Sequence, residues 1–186
     1  MDIIEARSDD GPELLVLQRC CWVQEAILND TLDIPALHET LEDLRDWTKK
    51  WSVWTLRDGH RLVGAVRARL DGGRWELGRL MVAPDLAGRG LGRRLLEHAE
   101  AQAPAHVRTF VLFTGARSAR NIRMYERAGY RLTDAPGAPG HIRGAVHLEK
   151  NVPENGPENG TEDGTENGTE DGTENVTERE KPGPPV

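Results

Sequence analysis

The run Met81-Val-Ala-Pro-Asp-Leu-Ala-Gly-Arg-Gly-Leu-Gly-Arg-Arg-Leu-Leu96 constrains this chain more than any other stretch, because it passes from an apolar strand through a glycine-spaced turn into an amphipathic helix. Gly88, Gly90 and Gly92 lack a Cβ, so the backbone can turn sharply and aim its N–H groups at an anion at the start of the helix. Arg89, Arg93 and Arg94 bring positive charge to the same place. Such glycines also serve a purely steric turn, so the surrounding residues decide the reading. A phosphate loop of the nucleotide triphosphatases needs Lys and then Ser or Thr after its last glycine, and Arg93-Arg94 stands there instead. A dinucleotide fold needs Gly-x-Gly-x-x-Gly and an acid about 20 residues on, and neither is present.

A second block, Ser118-Ala-Arg-Asn-Ile-Arg-Met-Tyr-Glu-Arg-Ala-Gly-Tyr130, places Ser118, Asn121 and Tyr125 three and four residues apart, on one helical face. One face can meet one ligand. Together the blocks resemble the GNAT superfamily of N-acetyltransferases, whose acetyl-CoA motif runs Val-x-Pro and then Gln/Arg-x-x-Gly-x-Gly/Ala. Val82-Ala-Pro84 and Gly90-Leu-Gly92 match it, and Ala87 departs from it where the family has Gln or Arg. A cradle made mainly of backbone N–H groups tolerates that loss.

The resemblance implies a set of roles. Leu80, Met81 and Val82 lie on a strand that splays from its neighbour and bonds the pantetheine arm of acetyl-CoA. Gly88, Arg89, Gly90, Leu91, Gly92 and Arg93 hold the pyrophosphate, and Ser118 and Asn121 add polar contacts. Tyr125 matches the general acid, a phenol whose ordinary pKa near 10 keeps it protonated at neutral pH. Glu76, fourteen residues before Gly90, matches the general base of some members. Two alternatives for Glu76 stay open: a strand carboxylate paired with Arg67 or Arg69, and a water relay in its place. The acceptor pocket of this family draws on the first two helices and the loop before the last strand, which here offer Trp22, Glu25, Trp47, Trp51, Trp54, Asp134 and His141.

From Pro153 the chain turns into acidic tetrapeptides, PENG, TEDG and TENG among them, with too little apolar surface to offset chain entropy. Residues 151–186 are expected to be a disordered tail and residues 1–150 the folded domain. The tail's ten acids against Arg179 and Lys181 carry −8 of the formal charge, leaving +1 for residues 1–150 out of the chain's −7. A nearly neutral domain argues against nucleic acid as partner. The adjacent Cys20 and Cys21 form no disulfide framework, and no apolar run reaches bilayer length. A cytoplasmic protein with no membrane partner is expected.

Hydrophobic periodicity gives strands near 3–7, 51–56, 62–70, 75–82, 107–114, 130–134 and 144–149, and helices near 12–29, 35–50, 91–103 and 118–128. Taken alone this pattern means mixed α/β; the resemblance sharpens it to the GNAT fold, a mixed central sheet flanked by helices. The function implied is acetyl transfer to a primary amine of a small molecule or peptide, with self-association into a homodimer left open. An acetyl-CoA-binding module without turnover is the alternative, and Ala87 is the feature that leans toward it.

Overall fold

The computed structural model describes residues 1–135 and 144–152, which belong to one compact unit. The tail from Pro153, expected to be disordered, lies outside the described residues, as does His141. Seven strands form one sheet: β1 (Asp2–Glu5), β2 (Ser52–Asp58), β3 (Arg61–Asp71), β4 (Arg74–Val82), β5 (Thr109–Gly115), β6 (Arg131–Thr133) and β7 (Ala145–Asn151). Their order is β1-β2-β3-β4-β5-β7-β6. Only β4 and β5 pair in parallel, because the chain crosses between them through a helix and not a hairpin. The hairpin turns fall where glycine supplies positive φ, at Gly59 (58°) and at Gly72 and Gly73 (55° and 81°).

Among the described residues five α-helices accompany the sheet: α1 (Gly11–Asn29), α2 (Pro35–His38), α3 (Leu41–Lys50), α4 (Leu91–Ala101) and α5 (Ala119–Arg127). None among the described residues is long and apolar enough to cross a membrane. The single helix expected over 35–50 is two. Thr40 leaves the helical conformation and accepts from the Asp43 N–H, while the Asp43 carboxylate accepts from the Thr40 N–H at 2.7 Å. This reciprocal cap starts a new helix. It also leaves Glu39, the residue that closes α2, half-buried. Leu28 is 52% exposed although it recurs near helical spacing with Leu14, Leu17 and Cys21, and Gln18 is buried instead, donating to the Ala36 carbonyl and the Glu39 carboxylate.

The two faces of the sheet are told apart by strand alternation. On one face Leu95, Leu96 and Ala99 of α4 are buried, and the Trp75 indole N–H donates to the Ala99 carbonyl at 2.9 Å. Gly64 of β3 lies under this helix: a Cβ there meets Leu95 Cδ1 at 2.9 Å and the Met81 carbonyl oxygen at 3.1 Å. Gly64→Ala is therefore expected to destabilise the fold by about 1–3 kcal/mol through overpacking against backbone. Urea denaturation measures it, and an unaltered midpoint would mean that α4 is not seated there. The opposite face carries Arg67, Arg69 and Glu76, with Trp47 of α3 stacked on Arg67. Trp54, paired with Val66, packs edge-on to His98 of α4. It is thus separated by the sheet from the tryptophans with which the sequence grouped it.

Candidate active site

The parallel pairing of β4 with β5 lasts only from Trp75 to Leu77. Beyond Leu77 the strands part, and the β5-facing edge of Gly78–Val82 has no ladder partner. The parting coincides with a bulge. Arg67 of β3 opposes Gly78 and Ala65 opposes Met81, so two β4 residues face the single Val66. One of the two, Arg79, takes φ of 49°, unusual for a residue with a side chain. The splay implied for Leu80, Met81 and Val82 is present. Met81 itself is buried, and the Val82 carbonyl accepts from the Cys21 thiol of α1 at 3.3 Å.

Next along the chain comes the glycine turn. Gly88 and Gly90 have φ of 88° and 78°, and Gly90 caps α4 in the left-handed conformation. The backbone N–H groups of Gly88, Arg89, Gly90, Leu91, Gly92 and Arg93 have no acceptor among the described residues; the first bond of the helix is Arg94 N–H to the Gly90 carbonyl. Six free donors at the positive end of a helix can hold a polyanion. A Cβ built on Gly90 meets nothing within 4 Å, so the space over the turn is open. Charge surrounds it unevenly. Arg93 is drawn to Glu97, and Arg94 to the Met1 carbonyl. Arg120 of α5, one of several arginines in the second block, lies 3.5 Å from the position of a Gly88 Cβ.

Helix α5 closes the side of the opening. Met124 Sδ approaches Gly92, 3.3 Å from where its Cβ would be, so α5 rests on the first turn of α4. Tyr125 is buried, its ring edge-on to Tyr130 at 6.1 Å between centroids, and its hydroxyl has no hydrogen-bond partner among the described residues. Burial first, and the nearby Glu25 carboxylate second, push the phenol well above its usual pKa. It is protonated at neutral pH.

Ser118 and Asn121 face α1. The Ser118 hydroxyl donates to Glu25 Oε2, and the Asn121 amide donates to Glu25 Oε1 at 2.9 Å. Asn29, one turn along α1, adds a 3.1 Å bond to Ser118 Oγ and accepts from the Arg117 N–H. Glu25 thus ties α1 to the head of α5. The sequence brought Glu25 forward only for the acceptor pocket, and no local spacing links it to residues some 90 positions away.

Glu76 sits on the last paired stretch before the splay, largely buried. Arg69 grips its Oε2 with Nε at 2.8 Å and Nη2 at 2.6 Å, which settles the pairing partner in favour of Arg69. Oε1 accepts from no described residue. No hydrogen bond or ion pair joins Glu76 to Tyr125 among the described residues. On the face that carries Glu76, Trp22 of α1, Trp47 of α3 and Trp51 at its end stack on the strand residues Arg67, Arg69 and Arg79. Burial raises the Cys21 thiol to about 12, so it stays protonated at neutral pH.

A family model described as the acetyltransferase (GNAT) family matches residues 17–130. The chain belongs to the GNAT acetyltransferase family. Acetyl-CoA is the co-substrate of this family. Three solved structures illustrate how the GNAT fold is shared. A PaiA N-acetyltransferase from Thermoplasma acidophilum, in complex with coenzyme A, superposes with a TM-score of 0.67 at 16% identity, over 81% of this chain and 98% of that one. An acetyltransferase from Thermus thermophilus gives 0.64 at 22%, over 81% and 96%. The ribosomal-protein-S18-alanine N-acetyltransferase from Escherichia coli gives 0.63 at 17%, over 84% and 97%. No curated protein matches this chain. The free N–H groups of this GNAT domain and the open space above Gly90 fit a nucleotide diphosphate, and the parted strands fit an extended arm.

Proposed function

We propose that the chain is an N-acetyltransferase that moves an acetyl group from acetyl-CoA directly to a primary amine of a small molecule or peptide. The observation that carries this reading is the parting of β4 from β5 immediately before a turn with six unbonded N–H groups. Bound acetyl-CoA supplies an activated thioester carbonyl and a thiol leaving group. Gly88, Arg89, Gly90, Leu91, Gly92 and Arg93 would hold its diphosphate, with Arg120 alongside. The free edge of Leu80–Val82 would orient the arm and polarise the carbonyl. Asn121 keeps its side-chain oxygen available for an amide of the arm, while Ser118 fixes Glu25 and with it the angle of α5. Tyr125 gives its proton to the departing sulfur.

Glu76 takes the proton of the attacking amine through Oε1, the oxygen that Arg69 leaves free. Glu76→Gln is then expected to lower turnover at neutral pH by roughly 10²-fold. The deficit should shrink as pH rises, because an amine above its own pKa no longer needs a base. Turnover unchanged across the pH range would assign the deprotonation to water.

Direct transfer also excludes an acetylated enzyme. Initial rates with both substrates varied should give intersecting lines, and Cys21→Ser should retain turnover. Parallel lines with a trapped acetyl-enzyme would overturn the direct route.

A further inference from the structure

Arg67 is the one guanidinium of the tryptophan cluster without a carboxylate. Arg69 is paired with Glu76 at 2.6 Å and Arg79 with Glu39 at 2.7 Å. Arg67 lies between them, its guanidinium carbon 4.4 Å from the ring centroid of Trp47 and 4.1 Å from that of Trp51. It has no ion pair and no hydrogen bond among the described residues, and its Nε is buried without an acceptor. Desolvation, and then repulsion from Arg79, pull its pKa below the usual arginine value. Arg67 is half-buried, and Glu39 and Glu76 attract it only from a distance; a cation that has lost part of its hydration is normally paired more closely.

The place of Arg67 gives the missing anion an address. Arg67 lines a cavity of about 230 Å³ together with Trp47, Trp51, Lys50 and three acids. Those acids are committed elsewhere: Glu39 to Arg79, Asp43 to the cap of α3, Asp46 to Lys49. Lys50 has no ion pair among the described residues, so the uncommitted charges on the wall are positive. Arg67 is also paired in the sheet with Gly78, whose missing side chain leaves room for it; a Cβ there would stand 3.5 Å from Arg67 Nε. Gly78 is the first β4 residue past the stretch paired with β5. The cavity therefore lies one strand over from the opening in which the acetyl carbonyl is proposed to lie.

We propose that Arg67, clamped between Trp47 and Trp51, receives the carboxylate of the acceptor, so that the amine acetylated belongs to an amino acid or a similarly small carboxylate-bearing amine. The inference rests on the reading of the chain as an N-acetyltransferase. A planar guanidinium held rigid by two indoles presents two parallel N–H donors to a carboxylate, a match that a lone ammonium does not offer.

The test uses the full chain with saturating acetyl-CoA and matched pairs of amino acids and their carboxamides, glycine with glycinamide first and then aspartate, lysine and phenylalanine with theirs. In at least one pair the acid should have a kcat/KM about tenfold or more above the amide, the difference lying in KM. Arg67→Gln should raise that acid's KM about tenfold and bring the ratio near one without altering the KM for acetyl-CoA, and Arg67→Lys should restore part of it. Amides used as well as acids by the unaltered protein, or a variant that slows both alike, would overturn the proposal. The first comparison needs no variant and so survives a folding defect. Trp47 and Trp51 provide a second readout: N-acetylglycine should quench the intrinsic fluorescence saturably, and N-acetylglycinamide should not. Quenching without turnover on any amine would defeat the enzymatic reading while retaining the anion site; turnover without preference or quenching would do the reverse.

Discussion

Replacing Tyr125 by Phe should lower turnover by roughly 10²-fold or more while acetyl-CoA affinity stays within about twofold, the pattern of an interaction made mainly in the transition state. The substitution removes one oxygen that bonds to no described residue, and it keeps the ring that packs against Tyr130. Folding stability should therefore change little. Because burial and the Glu25 carboxylate raise the phenol, the acid form persists above the ordinary pKa of about 10, and loss of the acid should not limit activity below that pH. Rates are to be read at saturating substrates with the chemical step shown to be limiting. Wild-type turnover in the Phe variant would remove Tyr125 from the mechanism.

Gly90→Val should weaken coenzyme A binding by about 10²-fold, close to 3 kcal/mol. Two effects of the substitution have to be separated. Valine at φ of 78° is strained, at a cost of about 1–2 kcal/mol to the fold. Its side chain also enters the open space over the turn, where the diphosphate is proposed to lie. Gly59→Val provides the control. That residue has φ of 58° and open space around it, and it sits in the β2–β3 hairpin, outside the glycine turn. Both variants should lose similar stability by thermal melting, and only Gly90→Val should lose affinity by calorimetry. Equal affinities would make the turn a steric device.

The turn was legible because its chemistry is local: three glycines, a strand before and a helix after. The common face of Ser118, Asn121 and Tyr125 was legible for the same reason, since helical spacing places side chains without reference to the rest of the chain. What they meet was not. The Glu25 carboxylate reaches Ser118 and Asn121 only after α1 has folded over the sheet, and no periodicity encodes that contact. The cap at Thr40 was present in the sequence as Thr-x-x-Asp, yet the apolar stripe of Leu37, Leu41 and Leu44 ran through it and concealed the break. Composition could count the tryptophans but could not sort them, because Trp54 lies on a strand while Trp47 lies on α3 and Trp51 caps it, and only the folded chain decides which face of the sheet that helix covers. Trp54 falls under α4, whereas Trp47 and Trp51 clamp Arg67 on the other face. The bulge at Arg79, which accompanies the parting of β4 from β5, occurs at a residue whose type gives no warning of positive φ.

The most direct test of the account is to follow coenzyme A thiol and acetylated amine together, by thiol titration and mass spectrometry, while the full chain is incubated with acetyl-CoA and a panel of primary amines. The account predicts thiol release that depends on the amine and matches the acetylated product one for one. Binding of acetyl-CoA with no amine-dependent thiol release would contradict it and leave a GNAT domain that binds the cofactor without transferring its acetyl group.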